Sequence, residues 1–154
     1  MRHITADDGN ILMSFVNGLS FGTRYFRYGH GDREFSPDKI QNLCMPNPSE
    51  RVHFLVLKAN GEGETVVASA RIIFEENGAS CEVAITVADA WQLHGIGKRL
   101  IDALFVEAKA RNLTEMHGEI LSTNRRMIEF MRRRGFAINN SPETPSLKIA
   151  QINL

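Results

Sequence analysis

The chain has 154 residues, of which 43% are hydrophobic and 23% charged, as in soluble globular proteins of one domain. Lysine plus arginine and aspartate plus glutamate number 18 each, a balance that favours neither a nucleic-acid nor a membrane partner. The two cysteines lack metal-ligand spacing and no apolar run could span a membrane, so we expect a metal-free cytoplasmic protein whose single domain covers residues 1–154.

The first third of the chain predicts short helices behind a short strand. Thr5 and Asp8 have the spacing of a capping box, and apolar residues follow at helical spacing. Ser36 and Pro37 are typical of a helix start, with serine as the N-cap and proline in the first turn. The predicted elements are a strand over residues 2–4, a helix over 6–19, a short helix or ordered loop over 21–31, and a helix from Ser36 that Pro46 and Pro48 end.

The middle of the chain predicts antiparallel strands. Residues that are β-branched or aromatic gather in three runs, which glycine-bearing turns separate. In the third run the larger apolar residues alternate with Glu82, Ala84 and Thr86, which indicates a strand with two different faces. The strands are predicted over 52–59, 65–74 and 81–87, with a hairpin loop over 60–63 and a turn over 75–78.

The rest of the chain alternates helices and strands. An amphipathic pattern from Lys98 to Arg111 predicts a helix, and a second helix opens at Asn124 and ends at Gly135. Further strands are predicted over 115–121, from 136–138 and over 147–152. This order of elements predicts an α/β fold class with a mixed, mostly antiparallel sheet flanked by helices.

A glycine-bearing loop, Gln92-Leu93-His94-Gly95-Ile96-Gly97, joins the strand over 81–87 to the helix that follows. The first backbone N–H groups of a helix have no partner within the helix and lie at the positive end of its dipole. Glycine has no Cβ, so an anion can approach the backbone closely, and Lys98 and Arg99 add positive charge. The pattern favours a diphosphate-binding loop, and a plain tight turn is the alternative.

Three motifs follow one another in the second part of the chain. They are the strand that begins at Glu82, the loop in the form Gln/Arg-x-x-Gly-x-Gly, and Asn124 ahead of Arg134-Gly135-Phe136. Together they resemble the GNAT superfamily of N-acetyltransferases, and by element order the resemblance covers residues 50–154. The runs Gly118-Glu119-Ile120-Leu121 and Asn124-Arg125-Arg126-Met127 are similar to the acetyltransferase domain of bacterial protein-lysine acetyltransferases.

The resemblance implies transfer of an acetyl group from acetyl-CoA, as co-substrate, to a primary amine. The acceptor would be a small molecule or a protein lysine, and a homodimer is left open. A non-catalytic CoA-binding sensor or interaction domain is the alternative. The CoA-binding residues that the resemblance implies are Ile85 and Val87 along the pantetheine arm, Gln92, Leu93, His94, Gly95, Ile96, Gly97 and Lys98 at the diphosphate, and Asn124 on the far side of the pantetheine.

Glu82 is the candidate catalytic residue. Acetyl transfer needs an uncharged amine, and a base that removes the proton from an ammonium contributes about 10²–10⁴-fold. Small neighbours at Ala84 and Thr86 would leave space for a substrate, and we expect the carboxylate to be partly buried. The alternative is a structural ion pair between Glu82 and Arg71 on the preceding strand. Glu119 is the second candidate for the base, with a structural role favoured.

The helix that opens at Asn124 carries two further features. Many members of the family have a tyrosine four residues before the glycine that ends this helix, where it acts as an acid toward the leaving thiolate. Met131 stands at that position, and a thioether cannot donate a proton. The arginines of the helix predict a solvated face unless they border the phosphate loop; they are Arg125, Arg126, Arg132, Arg133 and Arg134.

Overall fold

A computed structural model describes residues 1–29, 35–45, 47–61 and 63–154, which form a seven-stranded sheet with helices on both faces. The strands are β1 (Arg2–His3), β2 (Arg51–Asn60), β3 (Gly63–Phe74), β4 (Ser80–Val87), β5 (Glu115–Leu121), β6 (Ala137–Asn140) and β7 (Leu147–Asn153). The helices are α1 (Gly9–Gly18), α2 (Phe21–Tyr28), α3 (Pro37–Cys44), α4 (Ile96–Ala110) and α5 (Arg125–Arg133). Short 3₁₀ helices over Ala6–Asp8 and Asp89–Trp91 precede α1 and follow β4.

The strands lie in the order β1-β2-β3-β4-β5-β7-β6. Among the strands just named, β4 and β5 run parallel and every other neighbouring pair runs antiparallel. Helix α4 makes the crossover between the two parallel strands, as such a connection requires. The predicted fold class, a mixed and mostly antiparallel sheet flanked by helices, is therefore confirmed.

The elements follow the predicted order, with small shifts at their ends. The ambiguous segment after residue 20 is a helix that Ser20 caps, and Gly29 ends it in the left-handed conformation at φ 76°. Helix α4 begins at Ile96, two residues before the predicted start, and the 3₁₀ helix over Asp89–Trp91 was not predicted. The predicted end of the 21–31 segment, the role of Pro46 and the full hairpin loop over 60–63 lie outside the described residues.

Apolar side chains on both faces of the sheet hold the helices in place. On one face α4 and α5 pack against strand residues such as Ala70 and Ile72, and Leu100 and Leu104 of α4 are fully buried. Burial of each leucine contributes about 1.5–3 kcal/mol to folding. On the other face α1 and α3 pack around Leu55 of β2. The rest of that second face carries polar side chains, and the candidate site lies there.

The N-terminus is held by the predicted capping box. The carboxylate of Asp8 accepts hydrogen bonds from the Thr5 amide at 2.7 Å and from both terminal nitrogens of Arg2 at 2.7 Å. The Arg2 guanidinium lowers the pKa of Asp8 to about 2.

No helix within the described residues is long and apolar enough to cross a membrane.

Candidate functional site

Strands β4 and β5 separate part of the way along the sheet. Their pairing covers only residues 80–82 of β4 against 115–117 of β5, although both strands continue beyond it. The separation begins at Gly118, where a Cβ would lie 2.9 Å from the Val83 carbonyl oxygen. We call the resulting opening, between residues 83–87 and 118–121, the notch.

Backbone groups of β4 point into the notch. The Ala88 amide donates to the Val67 carbonyl oxygen of β3, and the Glu75 amide, just beyond β3, donates to the Ser80 carbonyl oxygen. Because N–H and C=O groups alternate between the two sides of a strand, those of Ile85 and Val87 face away from β3. Within the described part of the chain, no strand residue pairs with Ile85 on the notch side.

The start of α4 supplies further unpaired backbone donors. Gly95 is its N-cap, in the left-handed conformation at φ 80°, and offers no side chain to cap the helix. The amides of Ile96, Gly97 and Lys98 find no acceptor among the residues that the structure describes. These donors lie at the positive end of a 15-residue helix, where an anion is stabilised.

The loop before α4 has a strained and exposed residue. Leu93 adopts φ 66° and its side chain is 87% exposed. A left-handed conformation costs a non-glycine residue about 1–2 kcal/mol, so the loop keeps this shape against a local penalty. His94 is also exposed, and its Nδ1 lies 2.7 Å from the Gln92 carbonyl oxygen.

Gln92 connects the loop to the elements around the notch. Its side-chain amide nitrogen lies 3.1 Å from the Val87 carbonyl oxygen and 3.3 Å from the Thr23 hydroxyl of α2. Its amide oxygen accepts a hydrogen bond of 2.8 Å from Arg126 of α5. The Thr23 and Arg126 contacts were not predicted. Their positions are far from Gln92 in sequence, so no local pattern could have identified them.

Asp89 fixes α2 against the end of β4. Its carboxylate accepts hydrogen bonds from the Ser20 amide at 3.0 Å, the Ser20 hydroxyl at 2.7 Å and the Thr23 hydroxyl at 2.8 Å. Partial burial opposes ionisation of Asp89, but these hydrogen bonds outweigh it and lower the pKa of the carboxyl group. The start of α2 is thereby held beside the notch.

Asn124 lies on the opposite wall of the notch, three residues beyond the end of β5. Its side-chain oxygen accepts a hydrogen bond of 3.2 Å from the Met127 amide and so caps α5. Its side-chain NH₂ group has no acceptor among the described residues. Asn124 therefore has a structural role as a helix cap and still offers two donors.

The structure changes the interpretation of Lys98 and of the arginines of α5. Lys98 does not present a free charge, because its ammonium pairs with Asp102 at 2.9 Å, one helical turn further on. The arginines of α5 are not simply a solvated face, since Arg126 reaches the loop through Gln92. Arg133 does behave as a solvated residue, exposed and paired with Glu129.

Glu82 lies on the polar face of the sheet near the base of the notch. Its register partners are Ile73 on β3 and His117 on β5. The expectation of partial burial was wrong: Glu82 is exposed, because Ile73 and His117 are only half-buried themselves. The alternative ion pair is not formed either, since no described residue, Arg71 included, lies within ion-pair distance of Glu82.

The residues around Glu82 differ in burial and in the contacts that they make. Ala84 and Thr86 share its strand face as predicted, and Thr86 is buried. His117 lies 3.3 Å from the Glu75 carboxylate through Nε2. Met131 lies on the buried side of α5, and its thioether has no proton to donate.

Neither cysteine chemistry nor a metal cluster is found near the notch. Burial raises the pKa of the Cys81 thiol to about 11, which keeps it protonated and unreactive at neutral pH. No group of three or more histidine, cysteine, aspartate and glutamate side chains is arranged to hold a metal ion in the part of the chain that is described.

Comparison with known proteins identifies similar sequences and folds. The family profile described as Acetyltransferase (GNAT) family matches residues 20–136, which include the notch, the loop and Asn124. Acetyltransferase PA5475 from Pseudomonas aeruginosa is 27% identical over 155 residues, which span 100% of this chain and 83% of that protein.

Solved structures resemble the whole fold. The GNAT domain of S. lividans PAT superposes with a TM-score of 0.87 at 23% identity, over 99% of this chain and 89% of that one. The PaiA N-acetyltransferase from Thermoplasma acidophilum, in complex with coenzyme A, superposes with a TM-score of 0.78 at 15% identity, over 99% of this chain and 97% of that one. These likenesses show that the chain has the fold of these domains over nearly its whole length.

Proposed function

Because this chain belongs to the GNAT acetyltransferase family and is an acetyl-CoA-dependent N-acetyltransferase, we propose that it acetylates a primary amine held beside Glu82 on the polar face. The observation that carries this proposal is the notch. It combines an unpaired strand edge with a helix start whose backbone donors are unpaired, and Glu82 lies at its base. A ligand with an extended, amide-bearing arm and a diphosphate would pair with the strand edge through its amides and with the helix start through its diphosphate.

The chain has a group for each part of acetyl-CoA. Ile85 and Val87 have the orientation to pair with the amides of the pantetheine arm, as an added strand would. The backbone of residues 92–98 would hold the diphosphate, and the free side-chain NH₂ group of Asn124 would contact the pantetheine from the other wall. The thioester supplies the acetyl group when acetyl-CoA is bound.

Glu82 is proposed as the general base. An ammonium cannot attack a thioester, and a carboxylate beside the acceptor removes its proton directly or through a water molecule. Glu82 is suited to this role because it is exposed and no described residue holds it in an ion pair. Met131 stands where many members of the family have the acid tyrosine, and a thioether donates no proton, so we propose that the thiolate takes its proton from water.

Two acceptor classes are compatible with this arrangement. The similarity of residues 118–121 and 124–127 to protein-lysine acetyltransferases supports a protein lysine, whereas the exposed position of Glu82 where the β4–β5 pairing ends would also admit a small amine. The exposed aromatic side chains of α2, Phe21, Tyr25 and Phe26, border this region and would contact a larger acceptor.

Release of CoA from acetyl-CoA in the presence of different acceptors tests the proposal. The panel contains small primary amines, lysine-containing peptides, and an N,N-dimethyl analogue of each small amine as the control that cannot form an amide. We expect acceptor-dependent release with at least one primary amine and none with its dimethyl analogue. Binding of acetyl-CoA without acceptor-dependent release across the panel would contradict it.

A further inference from the structure

The polar face that carries Glu82 also carries four arginines, which we call the arginine cluster. Arg71 lies on β3 and Arg51 on β2, and the register of the two strands places both on this face. Arg24 and Arg27 lie on α2, three residues apart and therefore on one side of the helix. The cluster brings together positive charges from three elements.

Arg71 is the member of the cluster nearest to Glu82. It lies opposite Ala84, two residues from Glu82 along β4, so Arg71 and Glu82 are diagonal neighbours. The backbones of diagonal neighbours in a sheet are about 7–8 Å apart, a separation that long side chains or a small molecule can span. Arg71 and Glu82 form no ion pair across it.

The guanidinium groups of the cluster retain unused donors. The Nε atoms of Arg24, Arg51 and Arg71 are buried and have no hydrogen-bond partner among the residues that the structure describes. Of their other contacts, only the bond from Arg51 to the Asn42 carbonyl oxygen, at 3.1 Å, is formed with a described residue. A buried donor without a partner destabilises a folded protein by about 1–3 kcal/mol, so this arrangement is unfavourable in the absence of a ligand.

Repulsion within the cluster adds to this cost. Burial lowers the pKa of Arg71, and the nearby charges of Arg27 and Arg51 lower it further, whereas Tyr28 and Glu82 act in the opposite direction. Elsewhere in the described chain Arg2, Arg111, Arg133 and Arg134 pair with carboxylates, and the arginines that do not are exposed: Arg99, Arg125, Arg126 and Arg132. None of the four arginines of the cluster has such a partner among the described residues.

We propose that the amine acceptor carries a carboxylate, which the arginine cluster binds while the amine faces Glu82; this inference rests on the proposed function. Guanidinium groups match a carboxylate with two parallel hydrogen bonds, and they can do so where water is largely excluded. Arg71 and Glu82 are close enough for one small molecule to reach both, with its carboxylate at Arg71 and its amine at Glu82. The substrate class is therefore an amino acid, with its anion at Arg71 and its amine at Glu82.

Matched acceptors test this inference. Glycine, β-alanine, 4-aminobutyrate and 6-aminohexanoate are each compared with the corresponding primary amide, which keeps the length and the amine but lacks the negative charge. For the preferred length we expect kcat/KM for the carboxylate to exceed that for the amide by more than about tenfold, the effect of one charge-assisted hydrogen-bond pair.

Variants assign the preference to the cluster. Arg71→Met keeps the apolar stem and removes the charge, so the preference for carboxylate over amide should disappear while KM for acetyl-CoA stays the same. Arg133→Met is the matched control, because Arg133 is exposed and paired with Glu129, away from the notch. The control should keep the full preference.

Stability and binding give a second readout that does not depend on turnover. Because Arg71 has neither an ion-pair nor a hydrogen-bond partner in the described part of the chain, Arg71→Met should melt at the wild-type temperature or above it, whereas a structural arginine would lower the melting temperature. In calorimetry the preferred aminocarboxylate should bind the wild-type protein and not the Arg71→Met variant.

The outcomes separate the two proposals. Equal kcat/KM for each carboxylate and its amide would overturn the anion site and leave acetyl transfer intact. A preference for lysine peptides over every amino acid would also overturn it. Binding of an aminocarboxylate that requires Arg71, without acetylation of any amine, would support the anion site and overturn the proposed function.

Discussion

Glu82 has the local surroundings of a residue kept for chemistry more than for folding. It is exposed, forms no ion pair with a described residue, and sits beside the place where β4 and β5 separate. Glu82→Gln keeps the shape of the side chain and removes the ability to accept a proton. We expect kcat to fall about 10²-fold with KM for acetyl-CoA unchanged, and the rising limb of the pH–rate profile to flatten.

Glu119→Gln distinguishes Glu82 from the second candidate for the base. Glu119 lies on β5, where it is exposed on the same face of the sheet as Glu82. The two variants therefore compare two carboxylates in similar surroundings. If Glu119→Gln lowers kcat and Glu82→Gln does not, the base must be reassigned. A lower melting temperature with an intact pH profile in Glu82→Gln would also remove Glu82 from the mechanism.

At the scale of residues the sequence suggests candidates for the site but not the surroundings of their side chains. Glu82, Asn124 and the glycines of the loop could be selected because each lies in a recognisable local pattern. The pairing of Lys98 with Asp102 agrees with helical spacing and could have been predicted from sequence as well. The lack of an ion-pair partner for Arg71 among the described residues could not have been predicted from sequence. It depends on which side chains lie near Arg71 in the folded sheet.

The loop and the first turn of α4 act as one element. A Cβ at Gly97 would lie 3.5 Å from the Phe130 ring, an ordinary contact, so Gly97→Ala should fold and bind CoA nearly as well as the wild type. Gly97→Asp should also fold, because a carboxylate in the first turn of a helix interacts well with its dipole. It should nevertheless weaken CoA binding more than about tenfold, because like charges at 4 Å repel by about 4 kcal/mol near a protein surface.

Calorimetric titration of CoA into the three proteins measures this effect. Circular dichroism melting confirms that both variants are folded. If Gly97→Asp binds CoA like Gly97→Ala, the diphosphate does not lie at the start of α4, and the assignment of residues 92–98 must be withdrawn.

Gly118 determines where β4 and β5 separate. A side chain there would meet the Val83 carbonyl oxygen at 2.9 Å and its side chain at 3.2 Å, and the backbone of a central strand cannot move without cost. Gly118→Ala should therefore lower the free energy of unfolding by about 1–3 kcal/mol. Gly18→Ala, at the end of α1 with open space around it, is the matched control and should have no effect or stabilise slightly.

Urea denaturation of the two alanine variants measures the difference in the free energy of unfolding. Equal stability of Gly118→Ala and Gly18→Ala would show that the two strands can move apart freely at Gly118. Gly118 would then have no special role in shaping the notch.

At the scale of elements, periodicity predicted most strands and helices, but it left α2 ambiguous and gave no sign of the 3₁₀ helix over Asp89–Trp91 or of the notch. The alternation in β4 and the amphipathic pattern of α4 are local properties, so they survive in the folded protein. The length of the pairing between β4 and β5 depends on Gly118 and Val83, which are 35 positions apart, and on the twist of the whole sheet. A single sequence carries no signal for such a contact.

A buried histidine, His53, makes the stability of the whole molecule depend on pH. His53 is buried beneath α3, with Nε2 at 2.7 Å from the Ser69 hydroxyl and Nδ1 at 3.4 Å from the Leu43 carbonyl oxygen. Since a carbonyl only accepts, Nδ1 carries the proton and Nε2 accepts from Ser69. Burial, with the charge of Arg71 next in importance, lowers the pKa of His53 from 6.5 to about 4.

The sign of the pH effect follows from this shift. Between pH 6.5 and 4 the unfolded chain takes up a proton at His53 that the folded protein does not, so stability is full above pH 6.5 and falls toward pH 4. The loss from this residue is about 3 kcal/mol. Asp8, with its pKa lowered from 3.8 to about 2, adds a separate loss only at lower pH.

Urea denaturation at a series of pH values tests this assignment. His53→Asn should be less stable at pH 7, because it loses ring contacts, but its stability should depend much less on pH between 6.5 and 4. His3→Asn is the control, because the His3 ring is largely exposed, and it should keep the wild-type slope. A wild-type slope in His53→Asn would mean that another group causes the acid sensitivity.

The early end of the pairing between β4 and β5 has a mechanical consequence. Strands β1 to β4 form one half-sheet and β5, β7 and β6 form another, and only three residue pairs join them along the seam. A seam this short contributes few backbone hydrogen bonds against bending, so most of the resistance comes from the apolar core that the two half-sheets share. A ligand that pairs with Ile85 on one side and reaches Asn124 on the other would fasten the two halves together, and the molecule would be stiffest when loaded.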